Sequence, residues 1–233
     1  MQLLTDIKDA LLHVAFPQVC AGCGTDVVGN DQPLCLRCVD ALPQTHFEQY
    51  DSNPAANVFW GRLPLAQATA HYYFTKGALL QRLMHQFKYR GNKALGFYLG
   101  RLMGTALVRA HRFQSIDALV PLPLFPAKER ARGYNQATVL CNGIADVFQK
   151  PVLHKSVVRT MSTESQTKKS RIDRWQNMEG RFEITGAAGL SGKHLLLVDD
   201  VVTTGATLEA CGRALLAVDG MQLSIATLCI ASD

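Results

Sequence analysis

The chain has 233 residues, of which 48% are hydrophobic and 18% are charged. No stretch is both long enough and apolar enough to cross a bilayer, which excludes a membrane-spanning chain and favours an ordinary globular protein. The formal net charge of +5 would suit a phosphorylated metabolite or a nucleic acid equally well, so charge alone does not choose between these partners.

Residues 1–16 are predicted to form an amphipathic helix, because Leu3, Ile7, Leu11 and Val14 recur at helical spacing. A secretory signal would need a basic start, an uninterrupted apolar core and a small-residue cleavage site, none of which is present here. We therefore expect a cytoplasmic protein.

Two C-x2-C pairs follow, Cys20 with Cys23 and Cys35 with Cys38, separated by eleven residues. Each pair puts two thiolates on one tight turn, and together they match the ligand set of a tetrahedral structural Zn²⁺ ion. Disulfide bonds are the alternative, but a reducing cytoplasm and the spacing of the pairs favour zinc. Because all four ligands come from the protein, the site would have no open position for catalysis.

The composition changes between residues 46 and 64. This stretch contains Pro54, Gly61 and Pro64 and shows no sustained periodicity, which indicates a linker. We expect an N-terminal helix and zinc module in residues 1–45 and one larger domain in residues 65–233.

The larger domain is predicted to be α/β with a parallel sheet, because apolar runs typical of strands alternate with amphipathic helices. The main predicted strands are residues 67–74, 116–122, 152–159, 195–198 and 222–231. The helix at residues 78–89 ends in basic residues, which either complement the helix dipole or contribute to a binding site.

The most informative stretch is residues 194–208, HLLLVDDVVTTGATL. Its apolar run suits a strand covered on both faces, and the strand is predicted to end at Asp199 and Asp200, at the edge where open α/β sheets bind ligands. A loop of small and hydroxyl residues then precedes a helix; it consists of Thr203, Thr204, Gly205, Ala206 and Thr207.

This loop is suited to a phosphate dianion, because a helix N-terminus offers free N–H groups and the positive end of the helix dipole. The two carboxylates would repel phosphate, and they are suited instead to a pair of ribose hydroxyls. The implied ligand is a ribose 5-phosphate. The alternative is an ordinary strand, an acidic turn and a capped helix.

A second group of candidate ligand-binding residues follows the predicted strand at 116–122. It consists of Lys128, Arg130, Arg132 and Gly133, which we expect on a strand-to-helix loop. Such cations can clamp a second anionic group such as a diphosphate, and a solvated basic turn is the alternative.

Residues 161–180 are strongly polar, which indicates either a disordered excursion or a mobile lid over the active site. The cations that would let such a lid close over a polyphosphate are Lys168, Lys169, Arg171 and Arg174.

The order of an apolar run, two acids, small residues and Thr-Thr-Gly-x-Thr resembles the motif that binds 5-phosphoribosyl 1-diphosphate (PRPP) in type I phosphoribosyltransferases. In that family the acids hold the ribose hydroxyls and the loop holds the 5′-phosphate. The resemblance implies these roles for Asp199 and Asp200 and for the loop from Thr203 to Thr207, with Mg²⁺ accompanying PRPP.

Nearly the whole chain resembles the ComF/GntX family of bacterial proteins, linked to competence and to the use of external DNA as a nutrient. The resemblance implies a parallel-sheet, type I phosphoribosyltransferase-like fold preceded by a four-cysteine zinc module. Beyond the two cysteine pairs and residues 195–208, it rests on the strings Phe87 to Asn92, Pro121 to Pro123 and Arg132 to Gln136, and on Gln166 with Arg171, Arg174 and Asn177, which extend the lid set.

Two hypotheses follow. In the first, the protein is an enzyme that transfers a phosphoribosyl group from PRPP to an acceptor that the sequence does not name. In the second, it catalyses nothing and serves as an accessory factor that contacts single-stranded DNA or DNA-processing proteins during the handling of imported DNA.

Overall fold

The computed structural model describes residues 19–26, 32–160 and 181–231. Its centre is a sheet of four parallel strands in the order β1-β6-β5-β2, accompanied by a separate antiparallel pair, β3-β4. The strands are β1 (Gln67–Phe74), β2 (Ala118–Pro121), β3 (Val157–Thr160), β4 (Arg181–Ile184), β5 (His194–Val202) and β6 (Gln222–Ala231).

The α-helices of the described residues are α1 (Leu36–Asp40), α2 (Pro54–Asn57), α3 (Leu79–Tyr89), α4 (Lys93–Arg109), α5 (Pro126–Arg132), α6 (Gln136–Phe148) and α7 (Ala206–Leu216). Short 3-10 helices occupy Phe47–Gln49, His111–Phe113 and Ala187–Gly189. Within the described ranges, none of these helices has the length and hydropathy needed to cross a membrane.

Strand β5 is buried on both faces, as its uninterrupted apolar run predicts. Leu196 and Val198 belong to the core shared with α3, α4 and α6, whereas Leu195 and Leu197 belong to the core shared with α7. All four side chains are fully buried. Each such burial contributes roughly 1.5–3 kcal/mol, so this strand fixes the position of whatever follows it.

The N-terminal segments pack onto the same two cores. Cys20 and Cys35 share one core with Leu83 of α3, and Phe59 and Leu63 are buried in the other. The stretch at 46–64, for which the sequence indicates a linker, is therefore closely packed against the sheet and α7.

Three elements differ from the sequence prediction. The strand expected at 152–159 is limited to β3 at Val157–Thr160, which pairs antiparallel with β4 outside the main sheet. β5 continues through Asp199 and Asp200 to Val202, because β6 keeps pairing with it as far as Ile230. The expected loop at 126–132 is instead helix α5, which begins with Pro126 and ends where Gly133 adopts φ 83°. Proline at the first helical position and glycine just beyond the last one are favourable helix ends, which explains the short helix.

Helices α4 and α6 approach closely at two glycines. A Cβ atom on Gly143 would lie 2.1 Å from the carbonyl oxygen of Phe97, and one on Gly100 would lie 2.4 Å from the carbonyl oxygen of Leu140. Both obstacles are backbone atoms, which cannot rotate away.

We expect Gly143→Ala to lower the free energy of unfolding by about 1–3 kcal/mol, because the overpacking cost exceeds the gain in helix propensity. Asn142→Ala is the matched control, since residue 142 is exposed on the same helix and should lose no stability. Denaturant unfolding of both variants measures the difference, and an unaltered Gly143→Ala protein would contradict this account of the contact.

Candidate phosphoribosyl site and metal centre

The two acids occupy the last part of β5 and have different surroundings. Asp200 is buried, and its backbone N–H donates to Oδ1 of Asp199 at 2.8 Å. Burial, and then the proximity of Asp200, raise the pKa of Asp199 above its ordinary value, while the charges of Lys88 and Arg159 oppose that rise. The pair is thus a desolvated acidic centre held between two cations.

Lys88 provides one of these cations from the last turn of α3. Its Nζ lies 3.0 Å from Oδ2 of Asp200, and both side chains are largely shielded from solvent. The basic end of this helix therefore does more than complement the helix dipole.

Arg159 provides the other cation, and the sequence analysis did not identify it as a site residue. Its guanidinium lies 3.8 Å from the ring centroid of Phe125 and 5.2 Å from that of Phe182. Such stacking orients the cation, which lies on β3 and acts on Asp199 through space. An arginine between two strand-forming residues was the only signal in the sequence.

The loop after β5 connects the end of the strand to the N-terminus of helix α7. Thr203 and Thr204 are exposed, Gly205 is buried, and Ala206 and Thr207 open helix α7 without a side-chain cap. Gly205 has φ 74°, and a Cβ there would lie 2.6 Å from Cγ1 of Val58. Glycine is therefore required both by the backbone conformation and by the packing.

Arg62, from the packed stretch 46–64, supports this loop from behind. Its guanidinium donates to the Thr204 carbonyl at 2.7 Å and to the Val58 carbonyl at 3.0 Å, and it pairs with Glu209 of α7. Arg213 completes the network by donating to Glu209 at 2.7 Å. Hydrogen bonds from Arg213 and Arg62 hold the pKa of Glu209 below its ordinary value.

The residues predicted to bind diphosphate lie in and beside α5. Arg132 is partly buried, hydrogen-bonds to Gln136 and lies 5.6 Å from the ring centroid of Tyr89, the residue that follows Lys88. Lys128, Arg130 and Gly133 are exposed. Arg132 thus lies beside the end of α3, whose Lys88 pairs with Asp200.

The predicted lid residues lie outside the described part of the chain. They are Gln166, Lys168, Lys169, Arg171, Arg174 and Asn177.

The four N-terminal cysteines meet as the sequence predicts, because the Sγ atoms of Cys20, Cys23, Cys35 and Cys38 lie within 4.8 Å of one another. Sulfurs bound tetrahedrally at about 2.3 Å from Zn²⁺ would be about 3.8 Å apart, and the Cys23 and Cys35 sulfurs are 3.7 Å apart. The backbone N–H groups of Gly22 and Cys35 also point at the Cys20 sulfur, at 3.4 and 3.3 Å, which suits a thiolate. None of the cysteines is in a disulfide, and the cluster is compatible with a structural zinc.

We expect the protein to carry about one zinc ion per chain, and Cys38→Ser to lose it, because a structural site needs all four ligands. Cys141→Ala, which removes a buried thiol far from the cluster in sequence, should keep the metal. Metal analysis of the purified proteins tests this. Equal zinc in both variants, or none in the wild type, would contradict the assignment.

We expect Arg62→Ala to lower the free energy of unfolding by about 1–2 kcal/mol, because it leaves the Thr204 carbonyl and part of the Glu209 carboxylate without a donor. Arg101→Ala is the control, since the Arg101–Asp146 pair is more exposed and should contribute at most about 1 kcal/mol. Denaturant unfolding and limited proteolysis at residues 203–207 are the measurements. If the two variants behave alike, Arg62 does not support the loop.

The chain is similar in sequence to several known proteins. Residues 135–233 match the family model described as a phosphoribosyl transferase domain. The chain is 29% identical to competence protein F of Haemophilus influenzae, over 91% of each chain.

Two further relatives are also named for competence or DNA utilization. The chain is 28% identical to DNA utilization protein YhgH of Escherichia coli K12, over 91% of this chain and 89% of that protein. It is 29% identical to competence protein ComFC of Bacillus subtilis, over 85% of this chain and 78% of that protein. These matches confirm the resemblance to the ComF/GntX family: the chain is similar to competence protein F and DNA utilization protein YhgH along most of its length, and residues 135–233 match a phosphoribosyl transferase domain.

Proposed function

We propose that the chain binds PRPP at the end of β5 and that it serves the use of extracellular DNA as a nutrient. The observation that carries this proposal is the arrangement of a shielded acidic pair followed directly by an uncapped helix N-terminus, on one strand-loop-helix unit. The names of the relatives support the link to competence and DNA utilization.

In this proposal each part of the site has a distinct role. The loop from Thr203 to Thr207 holds the 5′-phosphate through its backbone N–H groups and hydroxyls. Asp199 and Asp200 accept hydrogen bonds from the two ribose hydroxyls. Because a carboxylate has about four acceptor positions, Asp200 can keep Lys88 as a partner while it accepts a hydroxyl.

The diphosphate would lie towards the cations that follow β2. Arg132 is favoured by its place beside the helix that carries Lys88, with Lys128, Arg130 and the backbone at Gly133 as further contacts. Mg²⁺ would enter with PRPP and neutralise its diphosphate, and Asp199 and Asp200 are oxygen ligands of the kind this ion prefers.

The reaction class supported best is phosphoribosyl transfer. A nucleophile on the acceptor would form a bond to C1 of the ribose while the bond from C1 to the diphosphate oxygen breaks, and diphosphate would leave. The acidic pair would stabilise the positive charge that develops on the sugar. The residues of the predicted lid would exclude water from the site.

The cysteines are free thiols, which favours a cytoplasmic location.

The second candidate is a non-catalytic accessory factor that contacts DNA. It is supported by the exposed Lys128 and Arg130 and by the Tyr89 ring, which is 69% exposed beside Arg132. Cations next to an exposed aromatic ring are the elements of a single-stranded DNA surface.

We expect calorimetry with PRPP and Mg²⁺ to show binding that weakens by about 10–100-fold in Asp200→Asn and in Asp199→Asn, because each change replaces an acceptor oxygen with an amide donor. Asp146→Asn changes a surface carboxylate and should bind like the wild type. Release of diphosphate in the presence of candidate acceptors then tests phosphoribosyl transfer separately from PRPP binding.

Two results would overturn the proposal. One is that the folded wild type does not bind PRPP, and the other is that both acidic variants bind it as tightly as the wild type. Titration with single-stranded DNA at several salt concentrations would then test the second candidate, which requires affinity to fall steeply as salt rises.

A further inference from the structure

A second pocket lies away from the phosphoribosyl site, where residues 43–49 cross the edge strand β1 beside α4. It has a volume of about 330 Å³, near the lower end of the range for small-molecule sites. This pocket shares no residue with the acidic pair or with the loop from Thr203 to Thr207. Its polar lining includes Gln44, His46, Glu48, Gln49, His71 and Arg109.

The wall formed by residues 43–49 is fixed to β1 by backbone hydrogen bonds. The N–H of Thr45 donates to the His71 carbonyl at 3.1 Å, and the N–H of Tyr73 donates to the Pro43 carbonyl at 2.9 Å. His46 then adopts φ 57°, a left-handed conformation that non-glycine residues rarely take. The turn it makes starts the 3-10 helix that carries Glu48 into the pocket.

Glu48 is the main reason to expect a ligand. It is only 5% exposed, and Nδ1 of His46 lies 3.9 Å from its Oε1. A carboxylate with so little access to solvent is stabilised by hydrogen-bond donors, and 3.9 Å is too long for a hydrogen bond. A ligand in the pocket could supply the donors.

A smaller void beside the pocket is also lined by buried polar side chains. Glu48 and His71 also border a small inner void of about 10 Å³, the size of one water molecule, together with Thr69 and Thr227. Among the described residues, the hydroxyls of Thr69 and Thr227 have no hydrogen-bond partner, although these residues are only 5% and 0% exposed. Buried polar groups usually have partners, so these hydroxyls point to a water molecule in the inner void.

The charges in the pocket narrow the class of ligand. Burial, and then the proximity of His46, lower the pKa of His71 to about 4, so this imidazole is neutral at physiological pH. Glu48 then supplies carboxyl oxygens to the pocket as acceptors, and Arg109 is an exposed cation that lines the pocket. The side lined by Glu48 therefore prefers donors, and the side lined by Arg109 tolerates an anionic substituent.

We propose that this pocket binds a small planar ligand that presents two adjacent N–H donors to Glu48, as the guanine base or a guanidinium group does. A carboxylate accepts such a pair through both of its oxygens, and the Gln44 and Gln49 amides can bind the remaining edges of the ligand. This site does not rest on the proposed PRPP activity, because the two sites share no residue.

The test is calorimetric titration of the full chain with guanosine and with agmatine, neither of which carries a phosphate that could occupy the loop after β5. We expect one of them to bind, and adenosine, which lacks the adjacent donor pair, to bind about tenfold more weakly or worse. Binding of guanosine alone would assign the pocket to a guanine compound, and binding of agmatine alone to a guanidinium compound.

Glu48→Gln should weaken this binding by about tenfold or more, since it replaces one acceptor oxygen with a donor. Glu129→Gln makes the same change at an exposed position and should have no effect. If Glu48→Gln fails to fold, Ala106→Leu gives a second test, because Ala106 lines both voids and a larger side chain would fill them.

The proposal is overturned if neither guanosine nor agmatine binds at millimolar concentration. It is also overturned if Glu48→Gln and Ala106→Leu are both folded and bind the probe as tightly as the wild type. The Asp199→Asn/Asp200→Asn double variant should bind the probe normally, which separates this pocket from the phosphoribosyl site.

Discussion

The candidate site depends on two carboxylates being placed at the end of a strand that is buried on both faces. The apolar residues of β5 hold the strand in the middle of the sheet, so Asp199 and Asp200 are carried into a partly desolvated position. Isolated carboxylates there would be costly, and cations from two other elements, Lys88 and Arg159, offset that cost. An acidic centre of this kind gains most from a ligand that donates hydrogen bonds, which is the reason for proposing that it binds a ribose.

The stretch 46–64 shows how the core and the site depend on the same residues. Phe59 is buried in the core, and it also lies, with Val58, against the place where only a glycine fits at residue 205. Arg62 continues this contact by holding the carbonyl of Thr204. The shape of the loop from Thr203 to Thr207 is thus set by a segment distant in sequence, and not by the loop residues alone.

The cysteine cluster is connected to the acidic pair through one helix. Gln86 of α3 donates to the carbonyl of Ala21 at 2.7 Å, between the first two cysteines, and Lys88 lies two residues further along the same helix. A Cβ on Gly22 would lie 2.7 Å from the Cys38 sulfur and 3.1 Å from Leu79, so the turn fits closely against α3. A structural metal ion would therefore fix the helix that carries Lys88.

The sequence by itself determined the features that depend on neighbouring residues. The apolar run of β5, the acids and hydroxyl loop that follow it, and the two C-x2-C pairs are all local patterns, although β5 continues through the acids to Val202. Tertiary structure decided which distant groups join them: Arg62 meets Glu209 across 147 residues of sequence, and Glu48 meets His71 in one pocket. Local periodicity carries no information about such contacts, because they depend on how whole elements pack. For the same reason the composition of residues 46–64 predicts a linker, although Phe59 and Arg62 in this stretch contact the loop of the candidate site.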